Sequence, residues 1–336
     1  MLSDHDILMK GINPFTPGFE QELVGRKEEL RLFESSLSLA RSGQPISIFL
    51  EGTIGMGKTT LLKKYESLAQ KSGAQVARVS AQKSDTLETI LKKIANLICQ
   101  EESIMEKNAN EMFAKIYRKN ESDLLVILID NFEKIQPIIQ EKLLDMCIDT
   151  IEKHMKCIFV FAGVNGKHKT PLTRNVLLKE LTKYDIEEMI AQGLKPHNLK
   201  MGEECLKAIE EDSSGHPLII QIICWVLYDK IKETEKMITK GQYSAYLPLI
   251  INNLSRELFD DLYEKTAPTQ RIVLSMLAQT GQEMRSIEIA QKINKPLNSV
   301  TTLLKRLTLR GSIVKVKRGS YRIFNRLYGK YVLMKN

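Results

Sequence analysis

Residues 46–59, Ile-Ser-Ile-Phe-Leu-Glu-Gly-Thr-Ile-Gly-Met-Gly-Lys-Thr, decide the fold. The run Ile46–Leu50 is short and apolar, as expected of a buried strand. Gly52 to Thr59 then satisfy G-x-x-x-x-G-K-[ST] at every fixed position. The residue types follow from the chemistry. Glycines let the backbone curl so that successive N–H groups converge on phosphate oxygens. A helix opening near Lys58 adds the positive end of its dipole. On this reading Gly52, Thr53, Gly55, Met56, Gly57, Lys58, Thr59 and Thr60 hold the phosphates of ATP. Lys58 reaches the β- and γ-phosphates, and the Thr59 hydroxyl ligates Mg²⁺. A purely structural glycine turn is the alternative; a strand before the loop and a helix after it argue against that.

Moving outward, Leu-Leu-Val-Ile-Leu-Ile-Asp at 124–130 carries the strongest strand signal in the chain. Six apolar residues closing on an aspartate read as a strand buried on both faces of a parallel sheet. Asp130 is then the second metal-site residue, steadying Mg²⁺ through water or through Thr59. Asn131 follows it and can orient a water but cannot take its proton. Glu133 is a candidate catalytic base, or else a cap for the next helix. Further strands are expected at 75–81, 157–163 and 175–181, with helices near 86–101, 104–119 and 136–153. Alternating strands and helices predict an α/β, three-layer P-loop domain with a parallel sheet.

The rest of the chain is of different character. Residues 1–20 contain Asn-Pro-Phe-Thr-Pro-Gly-Phe and read as an extended arm, leaving 21–182 for the nucleotide-binding domain. From 183 to 265 the pattern is helical, broken by Ser-Ser-Gly-His-Pro at 213–217, and reads as a helical lid. Trp225, the single tryptophan, falls in an apolar run and is expected in the lid core. A total of 336 residues exceeds what one hydrophobic core usually spans. No apolar run approaches the roughly 20 residues needed to cross a bilayer, so no membrane partner is expected. Five scattered cysteines without a C-x-x-C pair argue against a disulfide framework or a zinc site and fit a cytoplasmic location.

Charge singles out residues 266–336. Between residues 285 and 336 stand 13 Lys and Arg against one acid, Glu288, a balance of +12 in a chain of net charge +8. The remaining residues therefore carry −4. Such asymmetry points to a polyanion as partner of the C-terminal domain, with a solvated lysine-rich face as the alternative. Residues 269–279 predict a helix, Ser286 a cap for a short second helix, and 298–309 a third. A hairpin turning at Arg318-Gly319-Ser320 completes a winged helix-turn-helix. Asn298, Ser299, Thr301, Thr302, Lys305 and Arg306 would face duplex DNA, and Lys315, Lys317, Arg318 and Arg322 the flanking phosphates. A winged helix used for protein contact is the competing reading.

Several of these segments carry a family resemblance. Residues 124–135, Leu-Leu-Val-Ile-Leu-Ile-Asp-Asn-Phe-Glu-Lys-Ile, look like the Walker-B segment of the signal-transduction ATPases with numerous domains, a branch of the AAA+ class. Gly215-His216-Pro217 resembles their Gly-x-Pro motif, which implies that Pro217 packs against the nucleotide. Leu23-Val24-Gly25-Arg26-Lys27-Glu28 resembles the segment that lies over adenine in these proteins and in origin-recognition initiators, which assigns Val24, Gly25 and Arg26 to the cofactor site. The layout over residues 13–330 is similar to archaeal and bacterial initiator-type ATPases. That resemblance implies a polar first sensor at Asn165 and an inter-subunit arginine finger at Arg174, each with a plain loop residue as the alternative. It departs where initiators place a γ-phosphate-sensing arginine, because Leu218 follows His216-Pro217 here. The expectation is an ATP- and Mg²⁺-binding, slowly hydrolysing ATPase on duplex DNA whose nucleotide state controls either assembly into a homo-oligomer or recruitment of another protein. An ATP-gated transcription regulator, or a defence ATPase whose basic domain meets protein or RNA, are the alternatives.

Overall fold

The computed structural model describes residues 13–17, 22–99, 108–120, 122–164, 173–232 and 234–335. These form two compact units. One comprises residues 26–53 and 57–179; the other comprises the described residues of 1–25 together with 54–56 and 180–335.

The first unit is an α/β sandwich. It begins with helix α1 (Lys27–Arg41), strand β1 (Ser47–Glu51), α2 (Lys58–Lys71), β2 (Gln75–Ser80), α3 (Leu87–Cys99) and α4 (Ala109–Arg118). Then come β3 (Leu125–Asp130), α5 (Pro137–Glu152), β4 (Cys157–Gly163) and β5 (Thr173–Leu177). The strands are parallel in the order β2-β3-β4-β1-β5. β3 pairs on both edges, with β2 and with β4, so all six of its residues are buried, which is why its sequence is apolar without alternation. Alternate side chains feed the two faces. Phe49, Ile127, Phe159 and Phe161 pack with Ile90, Ile94, Phe113, Leu143 and other residues of α3, α4 and α5. Beneath the opposite face, the rings of Phe33 on α1 and Tyr65 on α2 stack at 4.0 Å.

The fifth strand starts earlier than the sequence led one to expect. Thr173 pairs with Ser47 and Leu177 with Glu51, so pairing with β1 sets the strand at 173–177 instead of 175–181. Arg174 thus lies within an exposed edge strand and not in a loop.

The second unit opens with the docked segment Asn13–Pro17, in which Phe15 is fully buried. After it come α6 (Lys183–Leu194), β6 (Lys200–Met201), α7 (Glu203–Ser213), α8 (Pro217–Lys230), β7 (Met237–Ile238), α9 (Lys240–Leu254) and α10 (Asp260–Glu264). The pair β6–β7 lies in a region that reads in sequence as helical apart from the break at 213–217. Trp225 is half-buried, and its carbonyl accepts from the Asn13 amide at 3.0 Å. The same unit continues with α11 (Pro268–Thr280), β8 (Met284–Arg285), α12 (Ser286–Lys292), α13 (Leu297–Arg310), β9 (Ile313–Lys317), β10 (Ser320–Ile323) and α14 (Arg326–Met334). One apolar core runs from Phe15 to Val332.

Two details differ from expectation. Ser286 is the first residue of α12 and not its cap; Arg285 holds the cap position, and the Glu288 carboxylate accepts from its N–H at 3.2 Å. Helix α14 was not anticipated, although Asn325 caps it by accepting from the Leu327 and Tyr328 N–H groups at 2.8 and 3.3 Å. Among the described residues no helix is long and apolar enough to cross a membrane.

Candidate functional site

The loop between β1 and α2 turns on Gly55 and Gly57, both in the left-handed region at φ +81° and +86°. At Gly57 this conformation starts α2, where a side chain would strain the backbone. The first N–H groups of α2, from Lys58 onward, have no carbonyl of a preceding turn to bond, so they point into the loop. Lys58 extends back across it and donates to the carbonyls of Gly52 at 2.7 Å and Thr53 at 2.9 Å. Burial holds its ammonium below the usual lysine range, and the carboxylates of Glu133 and Asp130 partly offset this.

The aspartate that closes β3 meets this loop directly. Asp130, 4% exposed at the end of β3, accepts from the Thr59 hydroxyl through Oδ2 at 2.7 Å and from the Asn131 N–H through Oδ1 at 2.8 Å. One carboxylate oxygen is therefore directed at the start of α2 and the other at the backbone just beyond β3. Asn131 sits at φ +55°, and its amide donates to the Ser80 hydroxyl at 3.0 Å. Sequence reasoning missed Ser80; its only signal is its place as the last residue of the strand beside β3. Glu133 lies in a single 3₁₀ turn, Phe132–Lys134, exposed, and close enough to Gly163 that a Cβ there would stand 3.3 Å from its Oε2. Gln136 takes the cap position of α5, so Glu133 does not cap that helix.

Other candidates fall elsewhere. The Arg26 guanidinium is 4% exposed and donates to the Lys179 carbonyl at 2.8 Å, which ties α1 to the segment after β5. Val24 is buried, and Gly25 lies against Asp185. Pro217 is the first residue of α8, behind His216. Asn165 lies outside the described residues. Among the described residues, no cluster of three His, Cys, Asp or Glu side chains could hold a metal. Thr59 and Asp130, joined by their hydrogen bond, offer oxygen donors of the kind that a hard cation such as Mg²⁺ prefers.

The C-terminal cations lie around α13 and the β9–β10 hairpin. Asn298, Ser299, Thr302, Lys305, Arg306, Lys315, Lys317, Arg318 and Arg322 are all exposed, while Val300, Leu304 and Leu307 of the same helix are buried. Thr301 and Thr302 hydroxyls bond back to the carbonyls of Leu297 and Asn298. Lys317 pairs with Glu283, an acid two residues outside the basic window. Arg322 donates to the carbonyls of Ile323 and Phe324. No carboxylate among the described residues pairs with Lys305, Arg306, Lys315 or Arg318, whereas Arg326, Lys330 and Lys335 each meet one.

Known proteins share this architecture. A family model described as AAA domain matches residues 41–170. No curated protein matches the sequence. Among solved structures, a Walker-type ATPase of Pyrococcus abyssi superposes with a TM-score of 0.68 at 16% identity, over 93% of this chain and 96% of that one. The ORC2 protein of Aeropyrum pernix, in ADPNP and ADP complexes, gives 0.65 at 15% identity over 95% of each chain. The ORC1 protein of the same organism, in complex with DNA, gives 0.53 at 15% identity over 96% of this chain and 95% of that one. At these identities the likeness is one of fold, and that fold is an AAA+-type P-loop architecture similar to the origin-recognition proteins.

Proposed function

We propose that the chain is an ATP- and Mg²⁺-binding, slowly hydrolysing ATPase that grips duplex DNA through its C-terminal module and assembles with copies of itself there. The contact between Thr59 and Asp130 at 2.7 Å carries this reading, because it joins the two motif residues that a phosphate-bound Mg²⁺ requires. When bound, Mg²⁺ screens the charge of the β- and γ-phosphates. Lys58, the loop glycines and the start of α2 supply the positive field that positions the phosphates. Thr60, next in α2, lies at the same end of that field. Asp130 orients Thr59, and Asn131 with Ser80 fixes the end of β3 beside it. Without an acid at Asn131, proton abstraction from water falls to Glu133, which with Asp130 is one of two carboxylates whose charge acts on Lys58. Arg174, exposed at the sheet edge, is the residue available to a neighbouring subunit.

The C-terminal reading rests on shape together with charge. Helices α12 and α13 joined by Asn294-Lys295-Pro296, followed by the β9–β10 hairpin against β8, make a winged helix. Its exposed cations would contact phosphates, and the short polar residues at the start of α13 would reach base edges. One solved neighbour is recorded on DNA. Nucleotide state would then control assembly on duplex DNA or recruitment of another protein.

Titration of duplex DNA with and without ATP and Mg²⁺, at several salt concentrations, tests both parts. Salt-dependent binding that tightens with ATP is expected. Affinity that is equal in both states would separate the two modules, and no binding at low salt would remove DNA as the partner.

A further inference from the structure

We propose that His216 is the positioning residue that carries the state of the phosphate loop to the C-terminal module; this rests on the reading of the loop as a nucleotide site. The imidazole is 5% exposed and touches two segments far apart in sequence. On one side its Nε2 lies 3.0 Å from the Ile54 carbonyl oxygen. A carbonyl can only accept, so Nε2 bears the hydrogen and donates. Two residues on, the Leu218 N–H donates to the Gly55 carbonyl at 3.3 Å. The approach is so close that a Cβ on Gly55 would stand 2.6 Å from the His216 Cε1 and 2.8 Å from the Leu218 Cβ.

On the other side the imidazole meets Phe324 edge to face, with ring centroids 6.0 Å apart. Phe324 is no isolated surface ring. It follows β10, packs on Tyr328 of α14 at 5.2 Å, and precedes Asn325, whose amide donates to the Asp212 carbonyl at 2.6 Å. Asp212 lies four residues before His216, and its carboxylate accepts from the Tyr243 hydroxyl at 2.7 Å. The segment 212–217, from the last residues of α7 to the first of α8, therefore holds the joint between the wing and α14 at two points. Its histidine also holds two consecutive carbonyls' worth of the loop, directly and through Leu218.

These carbonyls belong to the loop whose N–H groups must turn toward phosphate when nucleotide binds. Rotation of a peptide unit moves its C=O together with its N–H. The Ile54 carbonyl cannot reorient without either drawing the imidazole with it or breaking the bond, and a buried donor left unmade is costly. The ring shift is delivered to Phe324, in a closely packed region that moves by discrete rearrangement and not by gradual deformation. An arginine reading the γ-phosphate is absent at this turn, and a histidine reading the loop backbone takes its place as the coupling element.

Hydrogen exchange of the full chain, with saturating ATP analogue and Mg²⁺ and with occupancy followed by a fluorescent nucleotide, tests this. In the wild type, nucleotide is expected to change exchange across residues 320–328 by about fivefold. In His216→Ala, with the site filled, that response is expected to vanish while the change around residues 52–60 persists. A response at 320–328 that survives in His216→Ala overturns the proposal, as does its absence from a nucleotide-loaded wild type. Loss of all nucleotide binding in His216→Ala would place the ring in the phosphate site and equally overturn it. Phe324→Leu repeats the test from the far side should His216→Ala fail to fold; it is expected to leave nucleotide affinity unchanged and to weaken the response. A wild type that binds no nucleotide would instead remove the underlying reading of the loop.

Discussion

On the proposed function, the glycine-rich loop and the basic C-terminal face would attract phosphate in two ways that differ in kind. At the loop the recognition elements are backbone groups at fixed dihedral angles, one partly buried lysine and one hydrogen bond between Thr59 and Asp130. On α13 and the hairpin they are long exposed side chains, several of which meet no carboxylate among the described residues. A preorganised site concentrates its energy in few atoms, whereas a charged surface spreads it over many weak, salt-screened contacts. One substitution should silence the first, and only several together should silence the second.

The largest effect is expected at the loop. Lys58→Ala removes a charge-assisted contact and should weaken nucleotide binding by about 100-fold, as read by calorimetry. Normal affinity in this variant would refute the site. Thr59→Ala should next reduce affinity by about 10-fold in the presence of Mg²⁺ and hardly at all in its absence. An equal loss in both conditions would deny Thr59 its metal role. On the basic face, replacing Lys305, Arg306, Lys315 and Arg318 together by Ala should flatten the salt dependence of DNA binding by about 0.9 per lost phosphate contact. Each single change should be small, and a single variant that abolishes binding would overturn the contrast.

Titration sharpens the same contrast. Lys58 carries its charge below its pKa, and burial has moved that pKa down. Nucleotide affinity should therefore begin to fall with rising pH earlier than an exposed lysine would allow. Glu133→Gln removes one of the charges that support the ammonium, so the fall should start at lower pH still; an unchanged profile would detach Glu133 from the site. The smallest effect is expected from Glu283→Gln. Freeing Lys317 from an exposed ion pair should tighten DNA binding at low salt by less than about 1 kcal/mol, as measured by anisotropy.

The glycine-rich loop was legible because its requirements are local. The spacing of Gly52, Gly57, Lys58 and Thr59 depends on backbone geometry, and 124–130 is apolar throughout because both its faces are covered. Five strands were expected and the five-stranded sheet contains them, with only the edge strand displaced, since its ends are set by pairing with β1. What stayed hidden depends on partners distant in sequence. Nothing local marks Ser80 as the partner of Asn131, Lys179 as the partner of Arg26, or Glu283 as the partner of Lys317. Counting acids from residue 285 missed the one that lies just before it. The end of the chain shows the opposite failing: Asn325 followed by Leu327, Tyr328, Tyr331 and Val332 spells a capped amphipathic helix that went unread.

The aromatic cluster of Phe259, Phe324, Tyr328 and Tyr331 draws rings from both sides of residue 266 into a single mass. A fragment beginning at that residue would lack Phe259, the ring on which the other three pack, and would be expected to clump when expressed alone. For the same reason the basic module is a poor candidate for trading between genes: a recombination break there would wound two folds at once.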